Sequence, residues 1–153
     1  MSDRGMRMRP PPAGFGYHFE DLSVGMSETL MRTVMADDVV GFAKLSGDNN
    51  PVHLSDHFAA RTPFRERIAH GLYTASLISA LLGTRLPGPG AVYISQSLNF
   101  RAPVRIGDVV VARVEVAELD PAKRRARLRC DCSVDAKTVL DGEAVVLVPS
   151  RAA

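Results

Sequence analysis

A carboxylate and an imidazole lie five residues apart in the segment Gly47-Asp48-Asn49-Asn50-Pro51-Val52-His53. Proline removes a backbone donor and disfavours helix in the residue before it, while glycine and asparagine accept turn geometry. The segment therefore cannot be a helix interior or a central strand, and we expect an ordered loop between apolar helices. Asp48 and His53 are then free to converge on one point, where such a pair can act as general base and general acid.

Each of these groups also has an ordinary structural interpretation. An aspartate beside glycine and asparagine commonly forms a turn, and an isolated histidine is commonly a hydrogen-bonded core residue. For His70, which precedes a long apolar stretch, the alternatives are a second base or a residue that caps the helix or packs the loop, and we favour the latter. We expect His57 and His18 to be structural or exposed.

The composition is that of a soluble globular protein of one domain. The chain has 153 residues, of which 46% are hydrophobic and 24% charged. A net charge of +2 with scattered arginines does not indicate a nucleic-acid partner. No apolar run reaches the roughly 18 residues that indicate a membrane span, and the N-terminus lacks the apolar run of a secretory signal. We therefore expect no membrane partner and a cytoplasmic protein.

The two cysteines, Cys130 and Cys132, are separated by one residue. In a strand they point to the same face and are poorly placed for a bond within that strand. A reduced compartment is the simple interpretation. Core packing is favoured over a metal or redox site, since no other cysteine lies nearby.

Turn residues divide the chain into a domain with short flanking segments. We expect a flexible arm over residues 1–16, a single domain over 17–149 and a tail over 150–153. The early elements are a strand over 27–35, then a helix with Asp37 as its N-cap, then a short helix with Ser55 as its N-cap. The later strands are predicted over 91–100, 109–118, 125–134 and 138–148, the last with a bulge at Asp141-Gly142.

A long helix is predicted to begin at Gly71 and to end before the Pro/Gly segment that starts at Leu86. Leucine, isoleucine, alanine and serine cover nearly every side of it, from Leu72 onward, which is typical of a buried helix. One strand, short helices, this long helix and then a run of strands favour an α+β domain with an antiparallel sheet wrapped on the helix. Such a sheet leaves edges that a second copy of the chain would cover.

Three motifs resemble those of the MaoC-like (R)-specific enoyl-CoA hydratases. They are Ser46-Gly47-Asp48-x-Asn50-Pro51-x-His53, then Ile68-Ala69-His70-Gly71, then Ser97-Leu98-x-Phe100-x-x-Pro103-Val104-x-x-Gly107-Asp108. The resemblance runs from about Tyr17 to Pro149. It implies a hot-dog fold, in which an antiparallel β-sheet wraps around a long buried helix, and a homodimer. The implied reaction adds water to a trans-2-enoyl-CoA and gives the (R)-3-hydroxyacyl-CoA; we expect neither a cofactor nor a metal.

The resemblance also implies a role for individual residues. The catalytic aspartate of the family falls on Asp48 and its catalytic histidine on His53. The backbone N–H that polarises the thioester carbonyl falls on Gly71. We expect supporting roles for Asn50, which would order the loop, and Ser79, which would help position the active-site groups. Apolar side chains of the long helix are expected to line the acyl pocket, with Leu82 as the example.

Two alternatives stay open at this point. A hot-dog acyl-CoA thioesterase would keep the fold and would need a carboxylate or a water at the carbonyl carbon. A non-catalytic acyl-CoA-binding or dimerisation module would need neither Asp48 nor His53, and both are present. Acyl chain length and pathway, whether fatty-acid metabolism or polyhydroxyalkanoate supply, are not encoded in these motifs. The arginines at 125, 127 and 129 are predicted to form a solvated face rather than a phosphate site.

Overall fold

A six-stranded antiparallel sheet wraps around one long helix in the computed structural model, which describes residues 14–151. The strands are β1 (Ser27–Thr33), β2 (Val92–Gln96), β3 (Asn99–Phe100), β4 (Val109–Asp120), β5 (Arg125–Val134) and β6 (Lys137–Leu147). The helices are α1 (Ala36–Ser46), α2 (Pro51–Leu54), α3 (Asp56–Ala60) and α4 (Gly71–Thr84). A 3-10 turn, Phe19–Asp21, precedes β1.

The strand order across the sheet is β1-β4-β5-β6-β2, and β3 pairs with β6 beside β2. Every neighbouring pair is antiparallel. Side chains alternate along β5, so that Leu128, Cys130 and Cys132 are buried on the inner face. The buried side of α4 packs on that face through Leu77, Ile78 and Leu81 among others. The predicted α+β architecture is confirmed, and it is the hot-dog fold.

Both cysteines are free and buried in this core. Desolvation by burial is the main cause that raises the pKa of the Cys130 thiol to about 11 and that of the Cys132 thiol to about 12. Both thiols therefore stay protonated near neutral pH and pack as small apolar groups. The predicted core-packing role is confirmed.

Several predicted details are wrong, each for a local reason. The N-cap of α1 is Met35 rather than Asp37. The backbone N–H of Met35 donates to the Asp38 carboxylate at 2.9 Å. The long helix is not buried on all sides as predicted, because Leu72 is 60% exposed. Ser55 is the N-cap of α3 as predicted, since its hydroxyl oxygen accepts from the Phe58 N–H at 3.1 Å.

The predicted strand over 91–100 is two strands, and the predicted bulge at Asp141-Gly142 is absent. Gly142 pairs in register with Cys130, and the irregular residue is Val139, opposite the step from Cys132 to Ser133. Ser97 and Leu98 separate β2 from β3, and their backbone passes directly over Gly142. A Cβ atom at Gly142 would collide with the Ser97 carbonyl oxygen. Glycine is needed here for a close backbone approach, not for an extra residue.

The chain ends are described only in part. The predicted arm lies outside the described residues as far as residue 13, while the Gly16 N–H donates to the Pro89 carbonyl at 2.8 Å. In the predicted tail, the Arg151 guanidinium donates to the Asp21 carboxylate at 2.7 Å. Within residues 14–151, no helix is long and apolar enough to cross a membrane.

Substituting Gly142 tests the crossing of Ser97 over β6. We expect Gly142→Ala to lower the free energy of unfolding by about 1–3 kcal/mol, because the backbone of Ser97 must shift to admit the methyl group. Gly41→Ala, inside α1 with open space around its Cα, is the control and should raise stability by about 0.5–1 kcal/mol. Urea unfolding monitored by circular dichroism measures both. A Gly142→Ala protein as stable as the parent would contradict the packing described.

Candidate active site

A cavity of about 730 Å³ lies between the loop after α1, the start of α4 and the segment that follows β3. Most of its wall is apolar. The apolar lining includes Phe42, Phe64, Ile68, Phe100, Val104 and Leu140. The polar side chains on the wall include Asp48, His53, His70 and Thr74. The size and this composition suit a largely apolar ligand that carries a few polar atoms.

The loop that holds Asp48 is fixed by local hydrogen bonds. Gly47 ends α1 with a φ of 80°, which glycine adopts without strain. The Ser46 hydroxyl accepts from the Asp48 N–H at 3.1 Å, and the Asp48 carboxylate accepts from the Asn50 N–H at 3.2 Å. The Asn50 side chain in turn accepts from the Val52 N–H at 3.2 Å and so starts α2. Asn50 thus orders the loop in the way predicted for it.

His53 does not lie on the predicted loop: Pro51 begins the short helix α2, and His53 is buried on it. One ring nitrogen of His53 is held by the backbone. Its Nδ1 lies 2.7 Å from the Ile68 carbonyl oxygen. A carbonyl oxygen can only accept, so Nδ1 carries a proton in the neutral ring. Nε2 is then the nitrogen that can take up or give a proton in the cavity. The Arg67 side chain also donates to the His53 carbonyl at 2.7 Å and anchors this short helix.

His70 ties the loop to the start of α4. Its Nε2 lies 3.0 Å from the Asp48 carbonyl oxygen, so Nε2 carries the proton of the neutral ring. Its ring stacks on His53 with 3.8 Å between centroids and lies 4.8 Å from the Phe42 ring centroid. His70 is the N-cap residue of α4, but its side chain makes no capping hydrogen bond. Loop packing is therefore its role here, and capping by the side chain is not.

Asp48, His53 and His70 bring polar side-chain atoms within 4.8 Å of one another. One water molecule can bridge groups at that separation. The same three side chains could each offer one ligand atom to a metal ion. The carbonyl contacts of His53 Nδ1 and His70 Nε2 leave the other nitrogen of each ring open, and an open imidazole nitrogen can bind a metal or accept a proton.

Gly71 begins α4 and lines the cavity. The first N–H groups of a helix have no partner within the helix, and the helix dipole makes this end electropositive. The Phe100 ring packs against Gly71 so closely that an added Cβ would lie 2.5 Å from Phe100 Cε1. This end of α4 can therefore stabilise negative charge on a ligand oxygen, beside an aromatic wall.

Two residues named from the sequence lie away from this cluster. Ser79 is exposed further along α4, and Leu82 is buried in the core; neither lines the cavity. Their expected roles stay predictions. Sequence reasoning missed Thr74, a buried wall residue on α4, because a threonine among alanines and leucines gives no signal of its own.

Comparisons with known proteins cover most of the chain. The family model described as "MaoC like domain" matches residues 24–137. A 3-hydroxybutyryl-CoA dehydratase of Methylorubrum extorquens is 70% identical over 134 residues, which are 88% of this chain and 85% of that protein. An (R)-specific enoyl-CoA hydratase of Rhodospirillum rubrum is 51% identical over 135 residues, 88% of this chain and 94% of that protein.

A solved structure shares the architecture over nearly the same length. The unliganded R-hydratase PhaJ1 from Pseudomonas aeruginosa superposes with a TM-score of 0.84 at 42% sequence identity. The match covers 89% of this chain and 88% of that one.

The two carbonyl contacts predict opposite tautomers for the two stacked histidines. When both imidazole rings are neutral, His53 should carry its proton on Nδ1 and His70 should carry its proton on Nε2. Each of these nitrogens faces a carbonyl oxygen, which can only accept. Long-range proton–nitrogen NMR spectra distinguish the protonated from the unprotonated ring nitrogen. Exposed His57 on α3 provides the reference signal. Identical tautomers for His53 and His70 would show that one of the carbonyl contacts does not form.

Proposed function

The chain belongs to the MaoC-like domain family, and from that premise we propose that it adds water reversibly to a trans-2-enoyl-CoA to give the (R)-3-hydroxyacyl-CoA. The names of the two relatives support a hydro-lyase of this kind. The single observation that carries the proposal is the approach of Asp48 and His53 to within 4.8 Å on the wall of an apolar cavity. That arrangement can hold one water beside an acyl chain.

The start of α4 would bind the thioester. The carbonyl oxygen would accept from the Gly71 N–H, and the acyl chain would occupy the apolar part of the cavity. Attack at C3 creates an enolate whose negative charge lies largely on that oxygen. A positioned donor at such an oxygen contributes on the order of 3 kcal/mol in other enzymes. A side chain at position 71 would crowd Phe100, so glycine keeps this approach open.

Asp48 and His53 would divide the proton transfers. The Asp48 carboxylate takes a proton from the water as the water oxygen bonds to C3. His53, which carries a proton on both ring nitrogens at this step, then gives its Nε2 proton to C2, and the enolate returns to a thioester. The proton that Asp48 took from the water passes back to His53 Nε2 and restores the pair. Nδ1 cannot play this part, because it is held on the Ile68 carbonyl. The reverse sequence, with the two roles exchanged, dehydrates the hydroxyacyl thioester.

The substrate to test first is a short enoyl-CoA. The relative with 70% identity is named for 3-hydroxybutyryl-CoA, and crotonyl-CoA is the dehydration product of that thioester. Two further roles remain part of this proposal: Leu82 would line the acyl pocket, and Ser79 would help position the active-site groups. Neither residue is part of the cavity wall within one chain. Free buried thiols at Cys130 and Cys132 suit a reducing compartment such as the cytoplasm.

We further propose that two copies of the chain form a homodimer through the edge strand β2. Three consecutive apolar residues of this strand, Val92, Tyr93 and Ile94, are exposed. An open strand edge of this kind invites pairing with another strand, and a two-fold axis would pair it with its own copy. Leu72 at the start of α4 is another exposed apolar residue, and we expect it to be covered too.

Removing either proton-transfer group should abolish hydration without unfolding the protein. We expect Asp48→Asn and His53→Ala each to lower kcat for crotonyl-CoA by about 10²–10⁴. Loss of the enoyl absorbance, with chiral analysis of the product, measures the reaction. Lys44→Ala, an exposed change on α1, is the control and should keep the parent rate. Release of free CoA thiol instead of water addition would indicate a thioesterase, and parental rates in both variants would rule out this site.

A charge on β2 should separate the dimer. We expect Ile94→Glu to yield a monomer, because the carboxylates of two facing strands would be buried against each other. Met31→Glu, on the opposite edge strand β1, introduces the same charge at a residue that is 66% exposed and should leave the dimer intact. Light scattering after size-exclusion chromatography measures both masses. A dimeric Ile94→Glu protein would mean that another surface forms the contact.

A further inference from the structure

Two buried polar atoms on the cavity wall have no hydrogen-bond partner. They are Nδ1 of His70 and Oγ1 of Thr74. Each residue is 2% exposed, and both line the cavity. His70 is the N-cap residue of α4 and Thr74 lies one turn into that helix, where its N–H donates to the His70 carbonyl, so the two residues adjoin on the cavity wall. The wall therefore carries two polar atoms without a protein partner beside the Asp48 and His53 pair.

The surrounding protein offers these atoms nothing to bind. The backbone groups of Thr74 are in use: its N–H donates to the His70 carbonyl at 3.3 Å, and its carbonyl oxygen accepts from the Cys132 thiol at 3.9 Å. The hydroxyl alone is left over. By contrast, the hydroxyl of the exposed Thr84, later in the same helix, donates to the Ala80 carbonyl on the preceding turn at 2.6 Å.

The tautomer of His70 determines whether a hydrogen-bond donor or an acceptor can bind to Nδ1. Because Nε2 carries the proton, Nδ1 of the neutral ring can only accept. The ligand atom must therefore be a donor, which excludes a carbonyl or carboxylate oxygen. The Thr74 hydroxyl can donate to or accept from the same atom. We propose that His70 Nδ1 and Thr74 Oγ1 form a second polar subsite of the cavity that binds one O–H group.

Two sources could supply that O–H group, and the second rests on the proposed function. One is a water molecule that stays with the folded protein. The other is the hydroxyl of a 3-hydroxyacyl thioester, which the proposed reaction forms beside Asp48 and which would turn from that carboxylate to reach His70 Nδ1. In both cases the O–H group donates to His70 Nδ1. This bond would help fix the His70 ring, which also donates to the Asp48 carbonyl and stacks on His53. Occupation of the subsite would then affect the positions of Asp48 and His53 through the His70 ring.

Thr74→Val tests the water, since valine keeps the shape and removes the hydroxyl. If a water bridges the two atoms, the ligand-free Tm should fall by about 2–4 °C, because the bridge is lost and Nδ1 stays buried and unpaired. If the hydroxyl is truly unpartnered, valine should leave the Tm unchanged or raise it. Thr84→Val, on the exposed side of the same helix, controls for replacing threonine by valine in a helix.

The ligand hydroxyl needs a second measurement. Calorimetry on the Asp48→Asn background would compare the Kd of butyryl-CoA with that of (R)-3-hydroxybutyryl-CoA, which differ by the one hydroxyl. If that hydroxyl occupies the subsite, adding Thr74→Val should weaken binding of the hydroxy ester by about tenfold and leave butyryl-CoA unchanged, a loss of about 1.4 kcal/mol. Neither ester is expected to be consumed on this background.

The combined outcomes decide the proposal. A fall in Tm assigns the subsite to water, and an unchanged Tm with selective loss of the hydroxy ester assigns it to the product. An unchanged or raised Tm together with an unchanged ratio of the two Kd values overturns it. Failure to bind either ester would overturn the proposed function instead, and the ligand-free Tm alone would then decide whether the subsite exists.

Discussion

The hydrogen bond from His70 to the Asp48 carbonyl is the contact on which the site depends. The two residues are 22 positions apart, and the bond fixes the loop after α1 against the first turn of the central helix. The same ring stacks on His53, so one buried imidazole contacts both Asp48 and His53 and lies next to Gly71 in the chain. Without it, the carboxylate would lie on a loop held only by its own local hydrogen bonds.

Glycine serves this site in two physically different ways. Gly47 ends α1 in the left-handed conformation and turns the chain toward Asp48, which is a requirement on its backbone dihedral. Gly71 has no such requirement, and what excludes a side chain there is the Phe100 ring. The first glycine aims the carboxylate and the second keeps the helix terminus accessible. A loop and a helix end, made by separate parts of the sequence, thereby face one cavity.

Much of the fold follows from local patterns, and the exceptions come from contacts between distant residues. Strict alternation placed β5 at residues 125–134 with no error, since one face must be apolar and the other polar. The break between β2 and β3 was missed, because its cause is Gly142 on another strand. The sequence favours Asp37 as the N-cap of α1 because aspartate is a good capping residue, but the helix already begins at Ala36, and Asp38 in its first turn accepts from the N–H of the actual N-cap, Met35.

The residues of the site also differ in whether a local sequence motif or a contact with distant residues reveals them. The segment of special backbone residues over 47–53 singles out Asp48 and His53, the resemblance of a separate motif singles out Gly71, and all three line the cavity. The part played by His70 depends on a carbonyl 22 residues away, and that of Thr74 on the absence of any protein partner for its hydroxyl. Neither is encoded in local spacing. A residue whose role depends on its tertiary contacts can be recognised only in the folded structure. For Thr74 the signal is a buried polar atom without a hydrogen-bond partner.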